Sequence, residues 1–491
     1  MKPSPRLLKF LRRALLALAI AATLLAAFVI EENWRGDRAW AAVERDLRAR
    51  GEPLDFAAFA TPPIPDERNL FKAPALADLF LAYNSDLNLG GIRASNEPQK
   101  KALSTAAQIS NMVATSTNYE PDGRLRGRIK PESIVTTPGD PTGDLHLAQT
   151  KLLQAKLIVG PLSTEPAEDI LIAMKPVETL LDAVCQAARE RPDAWLSMQL
   201  PTDEPSLDAG FLLELGRSLG TRATAKLALG RTDEAFADLA GLLALARATR
   251  TGGPILFPLV GEAMRESAAD AIKAGCRRHL WTDAQLVLFG VSLADFQPFA
   301  QFKKSLQFER VWMVQSIDSP PRKLAHGEMG LTLPRWLFHG WVQQNKVSGS
   351  HALDEELASF EASTGRVFAD RVLNLRQTSV ALHKSRSPYV WVTAKMVLNI
   401  GQIISGLGVS ENHLREAVAA CALERHRLTH GSYPATLAEL VPAFIAAVPA
   451  DVFSGQPLGY TRTPDGGFKL TSLADDGKSE GKVWTQPGGS P

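Results

Sequence analysis

The run ALLALAIAATLLAAFVI, from Ala14 to Ile30, decides how the rest of this chain is placed. It carries no charge over seventeen positions, which is about the lower limit of length for a helix that crosses a bilayer. Five cationic residues precede it, whereas Glu31 and Glu32 follow it. Because positive charge favours the cytoplasmic side of a span, residues 1–13 are predicted to form a cytoplasmic tail, with the chain after Ile30 outside.

A cleavable signal peptide would have a similar basic start and short apolar middle. Cleavage after Ala26 or Ala27 would put Leu24 or Leu25 where the peptidase prefers a small residue. A retained transmembrane anchor over residues 14–30 is therefore the favoured interpretation. Both interpretations make the bulk of the chain periplasmic. The predicted localisation is the bacterial inner membrane, crossed once, with a cytoplasmic N-terminus.

The composition is that of a folded protein. A length of 491 residues is enough for several domains, and 45% apolar and 22% charged residues are ordinary values. A net charge of +1 gives no basic field, so nucleic acid is not an expected partner. Cys185, Cys276 and Cys421 have no metal-binding spacing. We expect them to be small buried side chains, and whether one disulfide forms is left open.

The segment 31–160 is predicted to contain a juxtamembrane helix and an irregular, loop-rich region. Apolar residues at helical spacing continue beyond the anchor, and Gly51 predicts the end of that helix. Residues 87–160 are rich in Gly, Ser, Thr, Asn and Pro and show weak periodicity. We therefore expect loops there, with at most a few strands.

Amphipathic helices dominate the predicted body, residues 161–390. Apolar stripes at helical spacing cover residues 212–227 and 236–246. Between them Gly230 ends one helix and Thr232 is placed to cap the next. This junction resembles the inter-helix turn of a tetratricopeptide repeat. No clear copies recur at the roughly 34-residue period of an array, so the prediction is limited to tetratricopeptide-like helical hairpins.

Three later segments complete this body. The capping box Thr282-Asp-Ala-Gln285 predicts a helix start. Residues 322–350 combine glycines with tryptophans and are interpreted as a loop, with helix resuming over 352–384. The apolar stretch 390–409 is not predicted to span the membrane, because it contains a charge near its centre.

An ordered set of motifs marks residues 391–485, before a flexible tail at 486–491. A helix is predicted over 412–430, followed by two short strands at about 458–463 and 468–473. The motifs are, in order, Thr429-His-Gly-Ser-Tyr-Pro434, Val448-Pro-Ala-Asp451, Ser454-Gly-Gln-Pro-Leu-Gly-Tyr460 and Ser472-Leu-Ala-Asp-Asp-Gly477.

This order resembles the globular part of the major pseudopilin of type II secretion. The likeness covers about 85 of the 491 residues. Pseudopilins also have a peptidase-cut Gly-Phe site and an early glutamate, which the run from Ala14 to Ile30 lacks, so we do not expect packing into a pseudopilus. The arrangement of anchor, helical body and tail is also similar to large envelope proteins of bacteria such as the Verrucomicrobia and Planctomycetes. That second resemblance implies no activity.

The pseudopilin resemblance implies one metal site. In that family acidic residues of the last loop bind calcium, and Asp475 and Asp476 match part of the motif. Calcium takes about six to eight oxygen ligands, and the chain has no carboxylate side chain after Glu480. The alternative interpretation is a polar turn.

No catalytic pattern is supported by its context. Ser218 lies in Gly216-Arg-Ser-Leu-Gly220, which matches a hydrolase nucleophile elbow, but it is predicted on the polar face of a helix. His426 and His430 are spaced for a shared metal, yet a structural role at a helix end is favoured. We assign no catalytic and no cofactor-binding residues. The remaining candidates, of undefined mutual geometry, are His326, Glu328 and His339.

The combined prediction is a mainly α protein with an N-terminal transmembrane helix, an α-helical hairpin body and a small C-terminal α+β module resembling a pseudopilin. We expect an interaction or scaffold protein linked to secretion or envelope assembly, rather than an enzyme. Its predicted partners are the inner membrane, through residues 14–30, and an envelope protein. The alternative is a membrane-anchored hydrolase or ligand-binding protein using the segment from Trp336 to Trp341. A deep polar pocket with convergent ionisable groups would favour that alternative, whereas a long groove or an exposed apolar patch would favour the scaffold.

Overall fold

The computed structural model describes residues 5–76, 97–117, 141–158, 162–194, 209–250, 253–318, 335–396, 400–475, 477–478 and 480–487. The chain divides into two compact units. Unit 1 comprises Met1–Phe59, Leu306–Ala358 and Leu373–Gln402, and unit 2 comprises Ala60–Ser305, Ser359–Val372 and Ile403–Pro491. Each unit is therefore built from separated stretches, whereas the sequence suggested consecutive segments with boundaries near 160 and 390.

The prediction of a mainly α fold is confirmed. The described helices are α1 (Pro5–Ala49), α2 (Glu97–Thr117), α3 (Pro141–Gln154), α4 (Pro166–Met174), α5 (Glu178–Glu190), α6 (Ala209–Ala228), α7 (Thr232–Ala248), α8 (Leu256–Arg277), α9 (Asp283–Ala294), α10 (Pro298–Asp318), α11 (Arg335–Leu357), α12 (Ala369–Lys384), α13 (Thr393–Met396) and α14 (Ile400–His430). The described strands are β1 (Phe360–Glu361), β2 (Arg366–Val367), β3 (Gly459–Arg462), β4 (Phe468–Leu473) and β5 (Glu480–Gln486).

Helix α1 runs without a break from the apolar run into the rest of unit 1. It is the one described helix that is long and apolar enough to cross a membrane, with a mean hydropathy of 2.4 in its most apolar window. Side chains from Phe10 to Phe28 are exposed, and Val29 is the first buried side chain after Phe10. The helix ends at Ala49 and Gly51 follows with φ of 70°, which confirms the predicted stop.

Helix α11 packs along α1 in unit 1. The Gly340 backbone N–H donates to Asn33 Oδ1 (2.8 Å), and farther along Arg50 Nη2 donates to Asp354 Oδ2 (2.8 Å). Residue numbers therefore increase together on the two helices, which run in the same direction. At their closest approach a Cβ on Gly36 would lie 2.5 Å from the carbonyl oxygen of Gly340.

The interpretation of residues 322–350 as a loop is wrong for the part that the structure describes. Residues 335–357 form the single helix α11, because its glycines pack closely against neighbouring elements instead of ending it. The helix predicted over 352–384 is also interrupted. Strands β1 and β2 form an antiparallel hairpin, in which Gly365 has φ of 72°. In α11, tertiary packing thus overrides the low helix propensity of glycine.

Helices α2 and α3 correct a second expectation, that residues 87–160 are irregular. Apolar residues at helical spacing, including Leu103, Ile109 and Leu152, are buried in the core of unit 2. Helices α6 and α7 form the predicted hairpin, with φ of 70° at Gly230. Thr232 does not cap α7, because the N-cap is Arg231, which makes no side-chain capping bond.

The tail folds as part of unit 2. Strands β3, β4 and β5 form an antiparallel sheet in that order, so the two predicted strands are confirmed and β5 is an addition. Phe468 and Trp484 are buried with ring centres 5.0 Å apart. Gln486 Nε2 donates to the Arg277 carbonyl of α8 (3.2 Å) and Ser472 Oγ to Glu416 Oε1 of α14 (2.8 Å). These bonds attach the sheet to the helical body.

The three cysteines are free and buried, as expected of small apolar side chains. Burial, followed by the charge of Asp238, raises the pKa of the Cys185 thiol to about 12. The thiol pKa of Cys276 is raised well above its ordinary value, first by the contact with Cys421 and then by burial. The thiols of Cys185 and Cys276 therefore stay protonated and unreactive at neutral pH.

Candidate binding groove

Helices α9 and α14 enclose a groove in unit 2. Its volume is about 570 Å³, within the range of about 300–1,000 Å³ that is typical of ligand pockets. Residues 444–450 contribute to its rim, and the groove is partly open to solvent. Its walls are mainly apolar and include Val287, Val291, Leu414, Val418, Ala422 and Ile445.

The position of α9 follows from its sequence. The predicted capping box is present, since the Gln285 N–H donates to Thr282 Oγ1 (3.3 Å) and the Thr282 N–H donates to Gln285 Oε1 (3.0 Å). Leu286, Phe289 and Leu293 repeat at helical spacing and are buried in the body. Because this face packs into the core, the opposite face of α9 lines the groove and contacts solvent.

That outer face of α9 is also apolar. Leu288 is 55% exposed and Val291 is 63% exposed. A Cβ added to Gly290 would meet no atom within 4 Å, so the groove is open beside it. Outer faces of surface helices usually carry polar residues. An apolar face next to an apolar groove is therefore typical of a surface that binds a partner.

A buried arginine lies at the base of the groove. Arg265 is 1% exposed, and its Nη1 donates to Glu262 Oε2 (2.7 Å) while its Nη2 donates to the Leu293 carbonyl (2.8 Å). Its guanidinium lies 4.2 Å from the ring centre of Phe296. Its Nε has no hydrogen-bond partner among the described residues. An unpaired buried donor of this kind is costly.

Two more arginines, both in α14, stabilise the rim of the groove. Arg415 donates from Nη1 to the Ala450 carbonyl (2.7 Å) and from Nη2 to the Thr364 carbonyl (3.1 Å). Arg425 donates from Nη1 to the Phe444 carbonyl (3.1 Å) and from Nε to the exposed carboxylate of Asp283 (2.8 Å). These bonds explain the shape of the rim, and they also place two positive charges at the groove.

The carboxylates of the groove do not fully offset its arginines. Glu411 Oε1 accepts from Arg415 Nε (3.1 Å), and its Oε2 lies 3.5 Å from Arg265 Nη1. Burial raises the pKa of Glu262 to about 7, with Arg265 opposing the shift and Glu411 adding to it. Near neutral pH Glu262 is therefore only partly ionised. Asp283 pairs with Arg425 and Glu411 with Arg415, so the groove then carries a small excess of positive charge, from Arg265, beside its apolar walls.

The pKa of Glu262 predicts a pH-dependent stability. A carboxyl whose pKa is raised on folding binds more protons in the native state, so stability falls as pH rises from about 4.5 to about 7. We expect this one group to remove on the order of 3 kcal/mol across that window. Glu262→Gln should remove this part of the slope, as measured by urea unfolding at pH 5 and pH 8. Equal slopes for both proteins would contradict the assignment.

The predicted calcium residues are only partly covered by the structure. Asp475 Oδ2 accepts a hydrogen bond from Ser405 Oγ of α14 (3.0 Å), and Asp476 lies outside the described residues. Within the described ranges no group of three or more His, Cys, Asp and Glu side chains is placed to hold a metal ion. Because Asp476 is not among them, calcium binding at this loop stays a prediction.

The other motif candidates have structural roles. Ser218 is fully buried inside α6 and donates to the Glu214 carbonyl (2.8 Å), which corrects its predicted place on a polar face. The rings of His426 and His430 stack 4.2 Å apart, and their Nδ1 atoms bond to the carbonyls of Ser432 (2.8 Å) and His426 (3.2 Å). They bond to backbone carbonyls at the C-terminal end of α14, in agreement with the structural role that the sequence favoured over a shared metal.

The segment from Trp336 to Trp341 does not form the loop on which the alternative function depended. It is the first part of α11, and His339 Nε2 pairs with Asp37 Oδ1 of α1 (2.7 Å). His326 and Glu328 lie outside the described residues. The histidine that is described therefore serves the contact between two helices of unit 1.

Sequence reasoning missed the groove, although one signal was present. The four consecutive apolar residues from Leu286 to Phe289 cover both faces of α9, which is more than a helix buried on one side needs. No protein-family model, no curated protein and no solved structure matches the chain. The groove is thus interpreted from its own geometry.

Proposed function

We propose that this protein is a membrane-anchored, periplasmic interaction protein that binds a segment of an envelope partner in the groove between α9 and α14. The observation that carries the proposal is the apolar groove beside the exposed apolar face of α9. Docking of an apolar peptide segment into such a groove is a common mode of recognition. A link to secretion or envelope assembly, suggested by the resemblance of the tail to a pseudopilin, belongs to the same proposal.

The chemistry of the groove defines the partner. Apolar walls select apolar side chains, and the arginine cluster selects negative charge through electrostatic complementarity. The segment that fits best therefore carries a few apolar residues next to an aspartate, a glutamate or a free C-terminal carboxylate. Arg265, Arg415 and Arg425, which line the groove, supply the positive charge that attracts that carboxylate.

In this proposal the groove lies outside the cytoplasm. Helix α1 satisfies the length and hydropathy of a span, and the cationic residues before Ala14 favour a cytoplasmic N-terminus. The tetratricopeptide-like hairpin α6–α7 is consistent with a scaffold role. The partner is accordingly expected among inner-membrane or periplasmic proteins.

Photocrosslinking in native membranes tests the proposal. A benzophenone side chain at Val291, 63% exposed beside the groove, is compared with one at Ile172, which is 55% exposed on α4. We expect one dominant adduct at Val291 and none at Ile172. The crosslinked peptide should contain apolar residues next to an acidic group, and the synthetic peptide should bind the purified full-length chain.

A groove-filling variant supplies the matched control. Gly290→Trp adds a large ring where a Cβ meets no atom, and Gly406→Trp adds the same ring at an equally open position of α14 away from the groove. The adduct and peptide binding should fall at least tenfold in the first variant only. An adduct that survives Gly290→Trp, or one formed with a cytoplasmic protein, would overturn the proposal.

A further inference from the structure

Helix α11 begins beside the end of the apolar run of α1. Gly340 lies against Glu32 and Asn33, and the two helices run in the same direction. At a rise of about 1.5 Å per residue, Arg335 lies about 7 Å closer to the membrane than Gly340. The first turns of α11 are therefore level with the boundary between the apolar run and Glu31.

Aromatic side chains cluster at this level. The Trp341 ring centre lies 6.3 Å from that of Phe28 in the apolar run and 5.2 Å from that of Phe338. On another part of α1, Trp34 is 59% exposed, and the Arg38 guanidinium lies 5.4 Å from its ring centre. Trp and other aromatic rings favour the headgroup layer, where one end can be wet and the other apolar.

We propose that the first turns of α11, Arg335–Trp341, sit in the headgroup layer of the periplasmic leaflet and make a second lipid contact beside the α1 span. The partner is the phospholipid surface, because the aromatic cluster is continuous with an apolar run whose Leu, Ile and Phe side chains are 48–69% exposed. The contact would hold unit 1 in one orientation on the bilayer. This inference rests on the anchoring part of the proposed function.

Spin-label depth measurements on the full-length chain in phospholipid nanodiscs test it. Labels are placed by Leu18→Cys in the span, Phe338→Cys in the first turns of α11 and Gln344→Cys, which lies about 9 Å farther out along the helix. The native cysteines are at most 4% exposed and remain unlabelled. We expect the ratio of oxygen to nickel-complex accessibility to be several-fold higher at positions 18 and 338 than at position 344.

The three labels distinguish the lipid contact of α11 from the membrane span of α1. A membrane-like ratio at 18 with a water-like ratio at 338 would overturn the lipid contact and leave the anchor intact. A water-like ratio at 18 would overturn the anchor. Because Phe338→Cys alters the cluster itself, the unsubstituted chain is also crosslinked to a phospholipid with a photoreactive headgroup. The crosslinks should fall within 335–341 and be absent from 342–350, and the reverse pattern would contradict the contact.

Discussion

Gly340→Ala is expected to separate α11 from α1 and to destabilise unit 1 by about 2–3 kcal/mol. The added Cβ would overlap the backbone carbonyl of Glu32 and approach the Asn33 nitrogen to 2.8 Å. Backbone atoms inside a continuous helix cannot move aside as a flexible side chain can, so the helices must move apart. Amide hydrogen exchange along α11 should become on the order of a hundredfold faster.

The control for this prediction is Gly406→Ala. Both positions are helical, so both variants gain the same helix propensity of up to about 1 kcal/mol. At Gly406 no atom lies within 4 Å of the new Cβ, and exchange in α14 should be unchanged or slower. Slow exchange of α11 in Gly340→Ala would show that the two helices do not approach as closely as described.

Asp238→Ala is expected to have the largest effect on unit 2, a loss of about 3–5 kcal/mol. Asp238 is 2% exposed and accepts from Arg222 Nη2 (2.6 Å), Arg222 Nε (3.0 Å) and Lys226 Nζ (2.9 Å). Burial lowers the pKa of Arg222, but Asp238 more than restores it, so the guanidinium stays charged. Removing the carboxylate would leave two buried cations without their main partner. A thermal melt should shift by roughly 10 °C.

Asp182→Ala is the matched variant, because Asp182 also pairs with Arg222 (2.8 Å) but has a side chain 64% exposed. Water screens such a pair, so we expect a loss of at most about 1 kcal/mol. If Asp238→Ala and Asp182→Ala were equally stable, the buried ion pair between Asp238 and Arg222 would not be stabilising the contact between α6 and α7. A larger loss for Asp182→Ala than for Asp238→Ala would contradict the burial of the cluster.

Local signals predicted several elements correctly. The end of α1 at Gly51 and the start of α9 at Thr282 depend on backbone conformation and capping within a few residues. The paired strands β3 and β4 likewise follow from alternation and a Gly-containing turn. Such features involve neighbours in sequence, so the residue types report them directly.

Other elements were missed because their stability comes from distant partners. Helices α2 and α3 have modest apolar stripes, and they become helical by burying Leu103 and Leu152 in a core shared with α6. Helix α11 contains glycines that suggest a loop, yet at Gly340 the missing side chain permits contact with a helix some 300 residues earlier in the chain. Propensity is a weak prior when packing of this kind is available.

The sequence by itself determined the long apolar N-terminal helix, the helical class of the body and the small sheet of the tail, because hydropathy, periodicity and turn residues are local properties. Only the tertiary structure determined the groove between α9 and α14. It brings Arg265 close to Arg415 and Arg425, although more than a hundred residues of chain separate them. It also placed the start of α11 level with the end of the apolar run. Contacts between distant segments depend on which faces pack together, and no short stretch of residues encodes that choice.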